Sequence, residues 1–342
     1  MGQRLSGLLA WVEKLEAENR LPIQGGWDVK PVSGDASFRR YFRVSSGSDN
    51  WIAVDAPPEK EASDIFVQIA NSWREAGISV PEVIAADLEQ GYMLLEDFGD
   101  RLLLPALTND SVDALYRSAM TELLKIQTLE RGDLPPYDAV LLQREMLLFS
   151  TWFVEEYLAL NLTQAEHDCI AAAFHTLQES ALEQPAVVAH RDYHSRNLML
   201  KDDDSFGVID FQDAVYGPIT YDLVSLLRDC YVCWPDEDVY SWVESYRLQA
   251  QSAALIKDVP AGVFAQWFDL MGTQRHLKAI GIFARLSIRD NKHGYLQDIP
   301  RTMGYVVKVA KRYETLHPFA ELLTTRILPA MSDKDLSVDP YL

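Results

Sequence analysis

A single β-rich island, residues 186–213, interrupts the long helical patterns that fill this chain beyond Gly99, and it constrains the fold more than any other stretch. Its two short apolar runs, one ending at Leu200 and one starting at Phe206, flank the acidic turn Lys201-Asp202-Asp203-Asp204-Ser205, a hairpin signature. If residues 200 and 207 pair across that turn, the register sets Asn197 opposite Asp210, with Cβ atoms roughly 5 Å apart. An amide oxygen and a carboxylate held that close at the open end of a hairpin form a hard-oxygen clamp for Mg2+, with coordination positions left for water and substrate phosphates. Asp192 stands five residues before Asn197, on the loop entering the same end of the hairpin. A carboxylate there is suited to accept the proton of an attacking hydroxyl. The spacing therefore assigns Asp192 as catalytic base and Asn197 and Asp210 as metal ligands.

Elsewhere, Leu5, Leu8, Leu9, Val12 and Leu15 recur at helical spacing and predict an amphipathic helix over 4–18. From Trp27 to Asp55 short alternating runs, broken by Pro31, Gly34 and Gly47, read as strands and turns. Residues 64–76 return to a helical pattern, and 80–86 and 92–95 read as strands around Glu89-Gln90-Gly91. Helical patterns then cover 111–127, 139–160, a stretch opened by the capping box Thr163 and Glu166, and about 220–231, 237–254, 261–289 and 301–326. At 342 residues a single core has usually stopped growing. The fold expected is α+β and bilobal: a small sheet lobe with one helix, residues 1–97, and a larger, mostly helical lobe, residues 98–342.

Charge narrows the partners. With 31 Lys and Arg against 51 Asp and Glu the net charge is −20, which repels nucleic acid and acidic lipid surfaces. The opening residues place Glu13, Lys14 and Glu16 before any apolar stretch long enough for a signal sequence or a membrane span, so a cytoplasmic protein is expected; a monomer is expected separately. Gly2 and Ser6 match a myristoylation pattern too short to weigh against this. Three cysteines cannot form a disulfide framework, and Cys230 and Cys233, a C-x-x-C without a second pair, read as core residues flanking a helix end.

The ordered set of H-R-D, four spacers, Asn, hairpin and Asp resembles the catalytic arrangement of protein kinases. HRDYHSRNLML and VIDFQDAVYGPITYDLVSLL resemble the motifs of the aminoglycoside-phosphotransferase and choline-kinase group, which has the protein-kinase-like fold. GDASFRRYFRV, AVDAPPEKE and LLEDFGD are most similar, within that group, to bacterial kinases that phosphorylate the C1 hydroxyl of N-acetylmuramate and N-acetylglucosamine in peptidoglycan recycling. The resemblance implies ATP and Mg2+ as cofactors and a small amino sugar as substrate. An aminoglycoside or choline-type phosphotransferase and a nucleotide-binding pseudokinase are the alternatives. It also implies that His190 braces the catalytic loop, that Asp222 pins the loop backbone, and that Glu96 and Phe98 lie in an adenine-reading hinge. His194 and Arg196 are further assigned as acceptor contacts.

Two departures from the group stand out. Ser33-Gly34-Asp35-Ala36-Ser37 holds one glycine where a glycine-rich loop is expected, leaving Gly34 and Ser37 to contact phosphate. Trp51-Ile52-Ala53-Val54-Asp55-Ala56 carries no basic residue where the group's third strand has its phosphate-pairing Lys. Arg40, Arg43 and Lys60 are the candidate substitutes, and Arg43 is assigned as a nucleotide contact; alternation puts Arg39, Tyr41 and Arg43 on one face and Arg40 and Phe42 on the other. Glu59, Glu61 and Asp64 remain open as the helix carboxylate that would partner the cation. Acceptor contacts are expected from two polar-aromatic clusters on otherwise apolar helices: Arg144, Glu145 and Trp152, and Arg275 and His276, with Gln274 and Lys278 beside the latter.

Overall fold

The computed structural model describes residues 2–21, 26–32, 38–201, 203 and 205–341. The chain divides into two compact units, residues 1–103 with 197–212, and residues 104–196 with 213–342. Its elements in order are α1 (Gln3–Ala17), β1 (Asp28–Pro31), β2 (Arg40–Ser46), β3 (Asp49–Asp55), α2 (Ser63–Glu75), β4 (Val83–Asp87), β5 (Tyr92–Glu96) and the short α3 (Leu103–Ala106). There follow α4 (Val112–Gln127), α5 (Ala139–Leu148) running into a π-helical stretch (Phe149–Tyr157), α6 (Gln164–Leu182), β6 (Ala186–Ala189), β7 (Leu198–Leu200), β8 (Phe206–Val208) and β9 (Val215–Pro218). The remaining helices are α7 (Thr220–Leu227), α8 (Asp236–Ser252), α9 (Ala261–Asp290), α10 (Ile299–Arg312), α11 (His317–Leu322) and α12 (Leu328–Ser332). Among the described residues no helix is long and apolar enough to cross a membrane.

The first unit is built on an antiparallel sheet of order β1-β2-β3-β5-β4. Alternation is strict along β2. Leu8, Val12 and Leu15 of α1 pack with Phe42, Val44, Trp51, Ala53 and Leu94 in one core. Arg40 and Asp55 oppose each other in register, and the fully buried Asp55 also accepts from Arg4 of α1 at 2.7 Å, which ties the helix to that face. Tyr41 and Arg43 therefore lie on the opposite face.

The hairpin β7–β8 belongs to this unit. Leu200 N–H donates to the Arg101 carbonyl at 2.7 Å and Val208 N–H to the Ser79 carbonyl at 2.8 Å. The register differs by one residue from the expected one: Leu200 pairs with Phe206, so Ile209, and not Asp210, follows opposite Asn197. The cause is the turn, which Lys201 N–H closes onto the Ser205 carbonyl at 2.9 Å. Asp210 then leaves the extended conformation at φ 66°, a left-handed geometry that carries its carboxylate back to the Asn197 amide. Phe211 anchors the far end against Phe66 and Trp73 of α2, with ring centroids 4.8 and 5.8 Å away.

The second unit is helical around α9, whose buried positions run from Phe264 to Ser287 on nearly all sides. Such a helix has to sit at the centre of its unit. At Gly281 an added Cβ would stand 2.3 Å from the Leu148 carbonyl carbon, so only glycine allows α5 to cross this closely. The capping box opening α6 is present, with Thr163 and Glu166 bonding reciprocally. The helix expected over 301–326 is broken: Tyr313 is extended, and Pro318 starts α11 afresh because it lacks the N–H a continuous helix would need. The sheet contribution here is the two-stranded ribbon β6–β9.

Candidate functional site

In the first unit the chemistry gathers at the end of the hairpin. Asn197 Nδ2 donates to Asp210 Oδ2 at 3.3 Å, and Gln212 Nε2 donates to Asp210 Oδ1 at 2.8 Å. The Gln212 Oε1 is buried with no hydrogen-bond partner among the described residues. A carboxylate, a carboxamide and an unsatisfied amide oxygen in one place are the donor set of a hard divalent cation, and Mg2+ fits them.

The other cofactor candidates fall on the same unit. Arg43 donates from Nη1 to Asp100 at 2.7 Å and from Nη2 to Asp97 at 3.0 Å and the Gly99 carbonyl at 3.1 Å. Its guanidinium thus fastens β2 to the segment after β5. Glu96 accepts from Arg74 at 2.8 Å and from the Glu82 N–H at 3.2 Å. Phe98 is half-buried, and its ring lies so close to Gly207 of β8 that a Cβ there would stand 2.4 Å from Cδ2. Gly34 and Ser37 lie outside the described residues. Arg40 faces α1 and pairs with Asp55, while Lys60 lies over the Phe38 ring at 4.2 Å.

In the second unit, the loop after β6 is held by two buried carboxylates. Asp222 Oδ2 accepts the His190 N–H at 2.7 Å and Oδ1 the Arg191 N–H at 2.9 Å. Burial pushes the Asp222 carboxyl up to about 7, against the pull of those two N–H groups. Seven residues on, Asp229 accepts the Ser195 N–H at 3.0 Å and the Ser195 hydroxyl, and its other oxygen takes the Tyr231 N–H at 3.0 Å. The braced loop holds Arg191 at φ 74°, and the fully buried His190 accepts the Asp192 N–H through Nδ1 at 3.2 Å.

Asp192 is half-buried in cationic surroundings. Burial works to raise its pKa, but Lys278, His194, Arg275 and Arg191 overcome that and hold it at about 2, so it is ionised throughout the physiological range. Glu145 organises these cations: it pairs with Arg191 and with Lys278 at 3.1 Å, and it accepts from the buried Tyr137 hydroxyl. Lys278 also donates to the Tyr221 hydroxyl at 3.1 Å.

The acceptor candidates separate. Glu145 and Arg275 join the electrostatic cluster around Asp192, with Arg275 donating to Cys230 Sγ at 3.7 Å. His194 takes the Arg196 N–H at 3.3 Å and meets the Tyr231 ring edge-on, and the exposed Arg196 lies 4.6 Å over that same ring. His276 is buried, bonded to the Arg228 carbonyl at 2.9 Å and stacked on Tyr305; burial lowers its pKa to about 3, so the ring is neutral. Arg144 is exposed on α5, and Trp152 is half-buried against the helical core. Cys230 is buried as expected, whereas Cys233 is exposed. Sequence reasoning missed Asp229, which its seven-residue spacing from Asp222 could have revealed, and Arg191, whose role depends on a left-handed backbone that no pattern signals.

Comparison with known proteins bears directly on this geometry. Residues 28–256 match the phosphotransferase enzyme family. The chain is 42% identical over 327 residues to the N-acetylmuramate/N-acetylglucosamine kinase of Pseudomonas putida, covering 94% of this chain and 96% of that one. It is 38% identical to the enzyme of the same name from Neisseria meningitidis, covering 94% and 95%. Among solved structures it is similar to an ethanolamine kinase of Plasmodium vivax, with a TM-score of 0.62 at 11% identity over 87% of this chain and 85% of that one. It is also similar to an ADP-bound aminoglycoside phosphotransferase of the 2''-Ib type, with a TM-score of 0.57 at 14% identity over 86% and 97%. These two share the fold. The motifs, the bracing of the H-R-D loop and the near-full-length relatives agree: the chain belongs to the phosphotransferase enzyme family.

Proposed function

We propose that this protein transfers the γ-phosphoryl group of ATP to the C1 hydroxyl of an amino sugar, N-acetylmuramate or N-acetylglucosamine. The observation that carries the reading is the 38–42% identity, nearly end to end, to kinases named for those two sugars. Asp192 orients the C1 hydroxyl and accepts its proton as the new P–O bond forms. At a pKa of about 2 it is a weak base, so positioning is the larger part of its work. Asn197 and Asp210 are assigned to hold Mg2+, which when bound offsets phosphate charge. Asp222 and Asp229 fix the loop that carries Asp192, and Lys278, Arg275 and Arg191 keep its carboxylate ionised. Arg275 is suited to the lactyl carboxylate of N-acetylmuramate.

The test is ADP release with N-acetylmuramate, N-acetylglucosamine, choline and kanamycin offered separately. Release with either sugar and with neither cation supports the reading; release with choline or kanamycin alone, or with no acceptor despite ATP binding, overturns it. Asp192→Ala and Asp210→Ala should each lower turnover by about 10²-fold or more with folding intact.

A further inference from the structure

Nucleotide phosphates need cations, and a chain at −20 has few to give. The three residues that sequence offers for this duty are engaged elsewhere. Arg40 is bound to Asp55 on the α1-covered face, Arg43 to Asp97, Asp100 and Gly99, and Lys60 lies over Phe38. Arg39 is different. It is 5% exposed, immediately precedes β2, and pairs through Nη2 with Glu61 at 3.2 Å. The same Glu61 accepts the Phe38 N–H at 3.1 Å, so one carboxylate fixes both the guanidinium and the backbone leading into the strand.

Arg39 is also tied to the hairpin end. Its guanidinium carbon lies 5.6 Å from the Phe66 ring centroid, and that same ring meets Phe211, the residue after Asp210, at 4.8 Å. Tyr41 reports the neighbourhood from a second side. Its hydroxyl hydrogen-bonds Arg39 and lies within electrostatic reach of Asp210. A guanidinium is a planar fork that can hold a carboxylate on one edge and a phosphate on another, which an ammonium does less well.

We propose that Arg39, held in place by Glu61, is the phosphate-binding cation of the first unit, taking the part that the absent third-strand lysine would have played. The proposal rests on the reading that the chain binds ATP, and the assay is chosen so that it does not depend on the acceptor.

The test is calorimetric titration of the full chain with ATP, ADP and adenosine, with and without Mg2+, for wild type, Arg39→Gln, Arg39→Lys and Glu61→Gln, each checked by thermal melting. Arg39→Gln is expected to weaken ATP and ADP binding by about tenfold or more while adenosine binding stays within about twofold. Arg39→Lys should recover part of the loss, and Glu61→Gln should show a smaller loss of the same pattern. Unchanged ATP affinity in Arg39→Gln, or equal weakening of ATP and adenosine, overturns the proposal. If Arg39→Gln does not fold because Glu61 loses its cation, the double variant Arg39→Gln/Glu61→Gln replaces it under the same criteria. A wild-type protein that binds ATP but phosphorylates neither sugar sinks the acceptor assignment and leaves Arg39 to be decided by the ATP–adenosine comparison. One that binds no nucleotide overturns both.

Discussion

Adding one methyl group at Gly207 probes the seat of Phe98 directly. A Cβ built there stands 2.4, 2.6 and 3.0 Å from three carbons of the Phe98 ring, whereas ordinary contact begins near 3.4 Å, so the ring or β8 must shift by about 1 Å. Overpacking of this kind costs about 1–3 kcal/mol, which lowers the melting temperature by about 2–12 °C at the ~2–4 °C per kcal/mol of a mid-sized unit. The assay is thermal unfolding of Gly207→Ala, Phe98→Leu and the double variant. Phe98→Leu empties part of the space the methyl needs, so the double variant should be more stable than the sum of the single losses by about 1 kcal/mol. Because Phe98 is also an assigned nucleotide contact, Gly207→Ala should weaken adenosine binding as well. Additive losses, with coupling below about 0.3 kcal/mol, would show that the clash is relieved elsewhere and would refute the reasoning.

Lys278→Met removes the foremost of the cations holding Asp192 at about 2, so the Asp192 pKa rises and the acid limb of kcat/KM moves to higher pH; an unmoved limb counts against the cluster. Asp222 has the opposite sign: its folded pKa is raised to about 7, so its contribution to stability is full below the ordinary carboxylate range and is lost as pH rises through about 7. Asp222→Asn should therefore flatten the decline in melting temperature between pH 5 and 8, and an identical slope in both proteins would exclude this origin. Alkylation of the native protein should label the exposed Cys233 well before Cys230, whose thiol is buried and whose pKa is pushed up by that burial; equal rates would contradict the placement.

Most of the architecture was legible because helical spacing and alternation report burial directly. Leu8, Val12 and Leu15 foretold α1, and Thr163 with Glu166 foretold the start of α6. The meeting of Asn197 with Asp210 was legible because it is a matter of residue order over a short stretch. What escaped was set by single backbone angles and by partners distant in sequence. A turn one residue tighter than assumed shifted the hairpin register, and only the left-handed Asp210 restored its meeting with Asn197. Arg43 and Arg39 share a face by alternation, yet nothing in the sequence says that Asp97 and Asp100 hold one and Glu61 the other. His276 reads as a polar ligand until its bond to the Arg228 carbonyl is seen.

The long helix α9 carries a consequence for how such a chain can vary. Arg275 and Lys278 lie three residues apart on a thirty-residue helix, far from either end. Each residue inserted or deleted upstream turns everything after it by about 100° around the axis. One codon gained between Ala261 and Gln274 would rotate both cations away from Glu145 and Asp192 and bring Gln274 and Leu277 into their places. Gly281 would leave the crossing with Leu148 in the same movement. Length changes are therefore confined to the connections outside α9, while inside it only substitution is open, and the helix acts as a ruler on which the charges around Asp192 are marked off.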